Sequence, residues 1–315
     1  MTRSPRRLLL VTALALLAAV PPLAAAMGQP FYVDVFRRIM VFAIAAISLD
    51  LILGHGGMVS FGHAAYLGIG AYAVGIPAFY GIHNGYLQWT VSILASALAA
   101  LAIGAISLRT SGVSFIMITL AFSQMLYYLG VSVEEYGGDD GMRLAARSSF
   151  AGVVDLRDGT TFYYVVLALL VASLVFAHRV INSRFGMVIR GARSNEARMR
   201  AVGFSTFRYK LVAFTIAGAM CGLAGALLVN HTEYVTPEFM HWTRSGDIMF
   251  MVILGGMGTL GGPVLGAVVL RLLEDLLLPA STQHWQAILG PFLVLVVLFA
   301  KGGLVRLVPE RGRGG

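Results

Sequence analysis

Charge is scarce in this chain. Only 12% of its 315 residues are Asp, Glu, Lys or Arg, against 58% hydrophobic, and residues 51–108 hold none of the four. A soluble domain of this size carries about a quarter charged residues, so a soluble globular fold is excluded. Cysteine is nearly absent. The single Cys221 lies in an apolar run beside Gly222, which rules out a disulfide framework and a Cys-based zinc site and reads as a small core residue. Catalytic signatures are missing as well: there is no G-x-x-x-x-G-K-[ST], no H-E-x-x-H and no G-x-S-x-G. The sequence therefore points to no P-loop, no metal centre, no cofactor and no enzyme.

What the chain has is long apolar runs. Mean hydropathy is +0.80. Runs close to the ~20 residues needed to cross a bilayer fall near 8–27, 33–53, 63–82, 87–108, 112–130, 161–178, 209–229 and 284–300. Lipid offers the backbone no hydrogen-bond partner, so each run must be a helix that satisfies its own amides. The expected fold is an all-α polytopic membrane bundle of about eight spans plus one re-entrant broken-helix pair. The first run follows Arg3, Arg6 and Arg7, and Ala24-Ala25-Ala26 resembles a cleavage site. Its length favours a retained anchor over residues 1–30 against a cleaved signal. The net charge of +8 sits mostly at span ends, which the positive-inside bias explains better than nucleic-acid binding.

One loop fixes the orientation. Residues 179–210 carry Arg179, Arg184, Arg190, Arg193, Arg198, Arg200, Arg208 and Lys210 against one acid, Glu196. Such a loop is held on the cytoplasmic side. Counting from a cytoplasmic N-terminus, residues 131–160 fall outside, with Glu134, Glu135, Asp139, Asp140, Asp155 and Asp158. Lys301, Arg306, Arg311 and Arg313 place the C-terminus, including a basic tail over 306–315, inside. Span 284–300 then runs inward, so residues 246–278 must begin and end outside. Their middle, LGGMGTLGGP (254–263), suits no straight helix, because Gly costs about 1 kcal/mol in a helix interior and Pro263 lacks a donor. A re-entrant pair of half-helices lining the pathway is expected; two short spans is the competing reading.

Gly56-Gly57-Met58-Val59-Ser60-Phe61-Gly62 is echoed by Gly255-Gly256-Met257-Gly258-Thr259-Leu260-Gly261, both GGM-x-[ST]-[apolar]-G. Paired glycine breaks in two halves of a transporter point to a substrate path. With 37 glycines in the chain, chance recurrence competes. Amide donors freed at a half-helix N-terminus would suit a carboxylate. His55 and His63 flank the first break and read as metal or proton-relay groups or, more plainly, as polar cavity lining. Asp50 and Arg109 sit at span ends and read as interfacial anchors. Arg271 can pair with Glu274 or Asp275 on one helix face. Asp247 is expected to cap the half-helix that follows it.

In the basic loop, Phe185, Val188, Ile189, Ala192, Met199 and Val202 form one helical stripe containing Glu196. Gly191 and Gly203 weaken that helix and can divide it. An amphipathic helix lying on lipid is one reading. A lone acid in an apolar stripe suits a cation on a partner protein better than anionic lipid, so partner docking is preferred.

These residues also resemble a known family. LDLILGHGGMVSFGHAAYLGIGAYAVGI (49–76), NEARMRAVGFSTFRYKLVAFTIAGAMCGLAGALL (195–228) and MVILGGMGTLGGPVLGAVVL (251–270) are similar, in order and spacing, to signatures of LivM-type permeases of branched-chain amino acid ABC importers, and the resemblance runs from about 30 to 305. It implies a permease domain over 31–305 with a cytoplasmic coupling loop at 179–210. It further implies a second, LivH-like permease subunit, two cytoplasmic ABC ATPase subunits and a periplasmic substrate-binding protein, all at the bacterial inner membrane. Glu196, Ala201 and Gly203 match the family's E-x-A-A-x-A-x-G coupling pattern; Arg198 and Met199 depart from it. The coupling set is Asn195, Glu196, Ala197, Arg198, Ala201 and Gly203. The pathway set is Ser60, Phe61, Gly62, His63, Gly255, Gly256, Thr259 and Gly261. Related permeases are associated with branched-chain amino acids, urea, short amides and aromatic acids. An ion-coupled secondary carrier of a small carboxylate or amide is the alternative, although it would need acids in the path, which 51–108 lacks.

Overall fold

Seven of the eight apolar runs are helices in the computed structural model, which describes residues 5–150, 152, 154–277, 290, 291 and 302–307. They are α1 (Pro5–Ala26), α2 (Phe31–Ile52), α3 (His63–Phe79), α4 (Gly85–Ser107), α5 (Val113–Ser132), α6 (Gly159–Asn182) and, after two short helices α7 (Arg184–Ser194) and α8 (Glu196–Ala201), α9 (Thr206–Thr232). The helices α10 (Trp242–Gly255) and α11 (Gly262–Leu277) follow. Apart from residues 290 and 291, the expected span 284–300 lies outside the described residues. Two-residue strands β1 (Met142–Arg143) and β2 (Tyr234–Val235) pair antiparallel, Met142 opposite Val235. The fold is an all-α membrane bundle.

Among the described residues, four helices are long and apolar enough to cross a membrane: α4, α5, α6 and α9. This is fewer than the eight expected. α2 carries Asp34, Arg37, Arg38 and Asp50. α3 has only 17 residues. In α1 the stretch whose side chains are described, Val11–Ala26, is apolar but shorter than a span.

α9 is the centre. It packs against α4, α3 and α2, and small residues set the spacing. Gly70 faces the backbone of Gly222, and Gly225 faces the carbonyl of Leu67. Small residues at such crossings let backbones approach closely. Ser92 Oγ donates to the carbonyls of Gly70 (3.0 Å) and Gly222 (2.9 Å), and Ser96 Oγ to that of Tyr66 (3.1 Å). α5 is the opposite case: its buried residues are Phe115, Thr119 and Ser123, a single stripe at i, i+4 and i+8.

The end of the bundle opposite α7 and α8 is rich in polar contacts. Asp158 caps α6 by accepting from the amides of Thr160 and Thr161. Hydrogen bonds from the hydroxyl and amide of Thr161 hold its carboxyl below the usual range. Buried Arg37 pairs with Asp34, donates to His231 Nδ1 at 3.0 Å and lies over the Phe162 ring.

The second glycine segment forms a helix–break–helix unit. A 3-10 turn, Pro237–Met240, enters the bundle ahead of it: Met240 abuts Gly68 and Gly130, and its carbonyl accepts from Ser123 Oγ at 2.7 Å. α10, 14 residues long, runs from there to the end that carries α7 and α8; the 16-residue α11 returns along α2, with Asp275 bound to Arg38 at 2.5 Å. Asp247 is not the cap expected for α10, because the helix begins at Trp242 and Asp247 lies more than a turn inside, 3.6 Å from Arg244. Of the two acids offered to Arg271, Glu274 takes it at 2.5 Å.

Candidate functional site

The basic loop folds as two helices. The chain divides at Asn195 and at Gly203, not at Gly191: Asn195 leaves helical geometry, its side chain accepts from the amide of Arg198 at 2.9 Å to start α8, and Gly203 (φ +98°) follows the C-cap of α8. Val188, Ile189 and Ala192 of the predicted stripe are buried, and Phe185 stacks on Tyr209 of α9 at 5.6 Å. Met199 folds back against Gly191. Val202, by contrast, is 69% exposed. Asn195, Ala197, Arg198, Ala201 and Gly203 are all exposed.

Glu196 has its partners within the chain. Lys210 Nζ donates to its carboxylate at 2.6 Å, and Thr206 Oγ1 at 2.9 Å. Burial pushes this carboxyl up, but those two hydrogen bonds and the charges of Lys210 and Arg200 outweigh it and hold it below 4.5. The lone acid of the loop thus clamps α8 to the first turn of α9.

The first break runs from Leu53 to Gly62. Gly57 has φ +69°, a conformation that glycine adopts without strain. Ser60, Gly62 and His63 are buried and Phe61 partly so, with its ring 6.3 Å from Trp242. The amides expected to be free for a ligand are occupied. Phe61 N donates to Thr119 Oγ1 (3.3 Å), Gly62 N to Ser60 Oγ (3.2 Å) and Ala64 N to Ser245 Oγ (2.9 Å). His63 Nε2 lies 2.7 Å from Ser48 Oγ. Among the described residues no three His, Cys, Asp or Glu side chains cluster as a metal site.

In the second break, Gly256 (φ +121°) and Gly258 (φ +71°) reverse the chain. Gly255 lies against Gly262 and Gly266, Gly256 against Gly302 and Gly303, and Thr259 Oγ1 donates to the Gly256 carbonyl at 2.7 Å. Gly261 accepts the amide of Leu265 at 3.1 Å, opening α11.

The two breaks meet at Gly54 and Gly258, positions outside the predicted pathway set. Asp50 joins them: its carboxylate accepts from Gly258 N at 2.8 Å. An amide of the second break does hold a carboxylate, then, but one supplied by the chain itself. Asp50 is 3% exposed and so is no interfacial anchor. Its place one turn from a span end suggested an anchor; the signal that could have corrected this is an acid inside an otherwise apolar run. Arg109 is exposed at the turn after α4, as an anchor would be. Arg193 of α7 donates to the Gly54 carbonyl. A cavity of about 350 Å³ adjoins this meeting point, lined by Gly56, Gly57, Thr110, Arg193, Glu196 and Lys210 among others.

Comparison with known proteins gives a consistent result. The family described as branched-chain amino acid transport system / permease component matches residues 31–300. The high-affinity branched-chain amino acid transport system permease protein LivM of Salmonella typhimurium is 29% identical, over 94% of this chain and 74% of that protein. The probable branched-chain amino acid transport permease protein LivM of Methanocaldococcus jannaschii is 25% identical, over 86% and 91%. The high-affinity branched-chain amino acid transport system permease protein LivH of Escherichia coli is 23% identical, over 84% and 91%. No solved structure matches.

Proposed function

The chain belongs to the family of branched-chain amino acid transport system permease components, and from that premise we propose that it is the LivM-like half of an ATP-driven importer carrying branched-chain amino acids inward. It is a transport subunit and not an enzyme; ATP hydrolysis belongs to separate subunits. The proposed assembly adds a LivH-like permease, two ATPase subunits against α7 and α8, and a periplasmic binding protein at the opposite end. Eight crossings of the inner membrane, with the C-terminus in the cytoplasm, complete the topology.

The reading rests on the short exposed helix α8, held to the foot of the central helix α9 through Glu196, Lys210 and Thr206. Asn195, Glu196, Ala197, Arg198, Ala201 and Gly203 form the proposed docking element. A push on α8 reaches α9 through a charged pair and a hydroxyl, and α9 carries α2, α3 and α4 with it. ATP-driven movement of the partners has to favour one access state over the other, since a partner indifferent to state shifts nothing. Ser60, Phe61, Gly62, His63, Gly255, Gly256, Thr259 and Gly261 are the proposed wall of the path.

The test is reconstitution in proteoliposomes with the second permease, the ATPases and the binding protein. Uptake of a branched-chain amino acid that requires ATP and every component is expected; uptake by this chain alone refutes the reading and favours a secondary carrier. Glu196→Lys faces Lys210 and should abolish uptake without preventing membrane insertion. The exchange Glu196→Lys with Lys210→Glu restores the internal pair. Recovery of uptake assigns Glu196 to the clamp; failure to recover assigns it to a cation on the ATPase.

A further inference from the structure

The basic loop touches the bundle interior at a second point, separate from the Glu196 clamp. Arg193, in the last turn of α7, donates Nη1 to the carbonyl of Gly54. Its Cγ lies over Gly57, 2.9 Å from where a β-carbon would stand. Gly54 follows the C-terminus of α2, where orphan carbonyls and the negative end of the helix dipole favour a cation. The same Gly54 carbonyl lies 3.0 Å from the position a β-carbon of Gly258 would take, so both breaks and the loop converge on one peptide group.

Asp50 closes the arrangement. One turn before Gly54, it takes the Gly258 amide at 2.8 Å, and His55 Nδ1 lies 3.5 Å from its other oxygen. A carboxylate buried this deeply is unfavourable unless hydrogen-bonded, and an ionisable group inside a membrane segment is a functional candidate by default. The cavity beside Gly56 and Gly57 reaches both Arg193 and Glu196, so the Arg193 side chain has room to shift without unpacking the helices.

We propose that Asp50 and Arg193 are positioning residues for transport: Asp50 pins the second glycine break to the first, and Arg193 transmits movement of α7 to both. This rests on the reading of α7 and α8 as the ATPase docking element and supplies the step from that element to the path. When α7 moves, Arg193 draws on the Gly54 carbonyl. Gly258 follows because Asp50 holds its amide, and the inner ends of α2 and α10 move together.

The test uses the full complex in proteoliposomes, with ATP hydrolysis and substrate uptake measured on the same preparation. Arg193→Met keeps the stem over Gly57 and removes the donor. Asp50→Asn keeps an acceptor oxygen for Gly258 and should retain more of the wild-type ratio of substrate moved per ATP than Asp50→Leu, which removes that oxygen; equal ratios for the two overturn the pin. Arg193→Met should lower substrate moved per ATP by about tenfold while hydrolysis persists, and Arg193→Lys should recover part of the ratio. Equal loss of hydrolysis and uptake, or a ratio like that of the wild type, overturns the proposal. A second measurement holds even where an Asp50 variant folds poorly. Spin labels at the exposed Val202→Cys and Met257→Cys, with Cys221 buried and silent, should report a nucleotide-dependent distance change that Arg193→Met abolishes; an unchanged response also overturns it. If the wild-type complex itself shows no ATP-dependent uptake, the proposed function fails and the pin is not the cause.

Discussion

The buried pair on α11 allows a quantitative test. Arg271 and Glu274 are each about 6% exposed, with 2.5 Å between Nη1 and Oε2. The guanidinium also lies 3.8 Å from the centroid of the Phe42 ring, while its Nε and Nη2 have no acceptor among the described residues. Glu274→Leu leaves a buried cation with an aromatic face and no carboxylate. Breaking a buried pair by removing one partner costs about 3–5 kcal/mol. Phe42 already contributes in the wild type and offsets none of that loss. Asp247 is the other acid whose charge bears on Arg271, which places the expected cost near the lower end, about 3 kcal/mol or roughly a hundredfold in the folding equilibrium. Removing both charges, Arg271→Met with Glu274→Leu, leaves nothing buried and unpaired, and such replacements are often neutral or stabilising by about 1–4 kcal/mol. Against this stands the lost cation–π contact, worth about 2 kcal/mol in a desolvated site. The double variant should therefore be more stable than the single one. The assay is recovery of monodisperse protein after heating the detergent-solubilised complex. A single variant as stable as the wild type, or a double variant worse than the single, refutes the reasoning.

Other expectations follow from the same geometry. Gly225→Ala drives a β-carbon into the Leu67 carbonyl and should destabilise by about 1–3 kcal/mol in the same assay. Gly246→Ala meets nothing within 4 Å among the described residues and should be neutral or stabilising by up to about 1 kcal/mol. The Glu196 carboxyl is held below its ordinary value of 4.5, so its contribution is present above that value and is lost as pH falls through the lower, folded one. Hydrogen exchange of residues 196–206, corrected for intrinsic rates, should show constant protection from pH 8 to 5 and loss only in stronger acid; loss between pH 7 and 5 would contradict the clamp.

The helices were legible because lipid leaves an apolar run few alternatives, and seven runs became α1 to α6 and α9 at nearly the expected places. The echo of GGM-x-[ST] correctly marked two interruptions. It did not show that they meet at Gly54 and Gly258, because contact between distant segments leaves no local period. Asp50 was misjudged since position along a helix says nothing about what lies beside it. Glu196 stands out as the lone acid of its stripe, but a projection of one helix cannot reveal Lys210, which belongs to the next. Gly203 does part α8 from α9, but the split at Asn195 was missed in favour of Gly191, although Asn is among the best residues for starting a helix. The resemblance named the family that the comparison then found.

The burial of α9 also has a consequence for biogenesis. The helix that α2, α3 and α4 pack against is made after all of them and after the loop 179–210. Until residue 232 has left the ribosome, Ser92 lacks the Gly222 carbonyl and Ser148 lacks the Asn230 side chain that accepts its amide at 2.8 Å. The early spans must wait in the bilayer as a half-built socket, and translation stalled anywhere before α9 yields a subunit whose seams have nothing to close on.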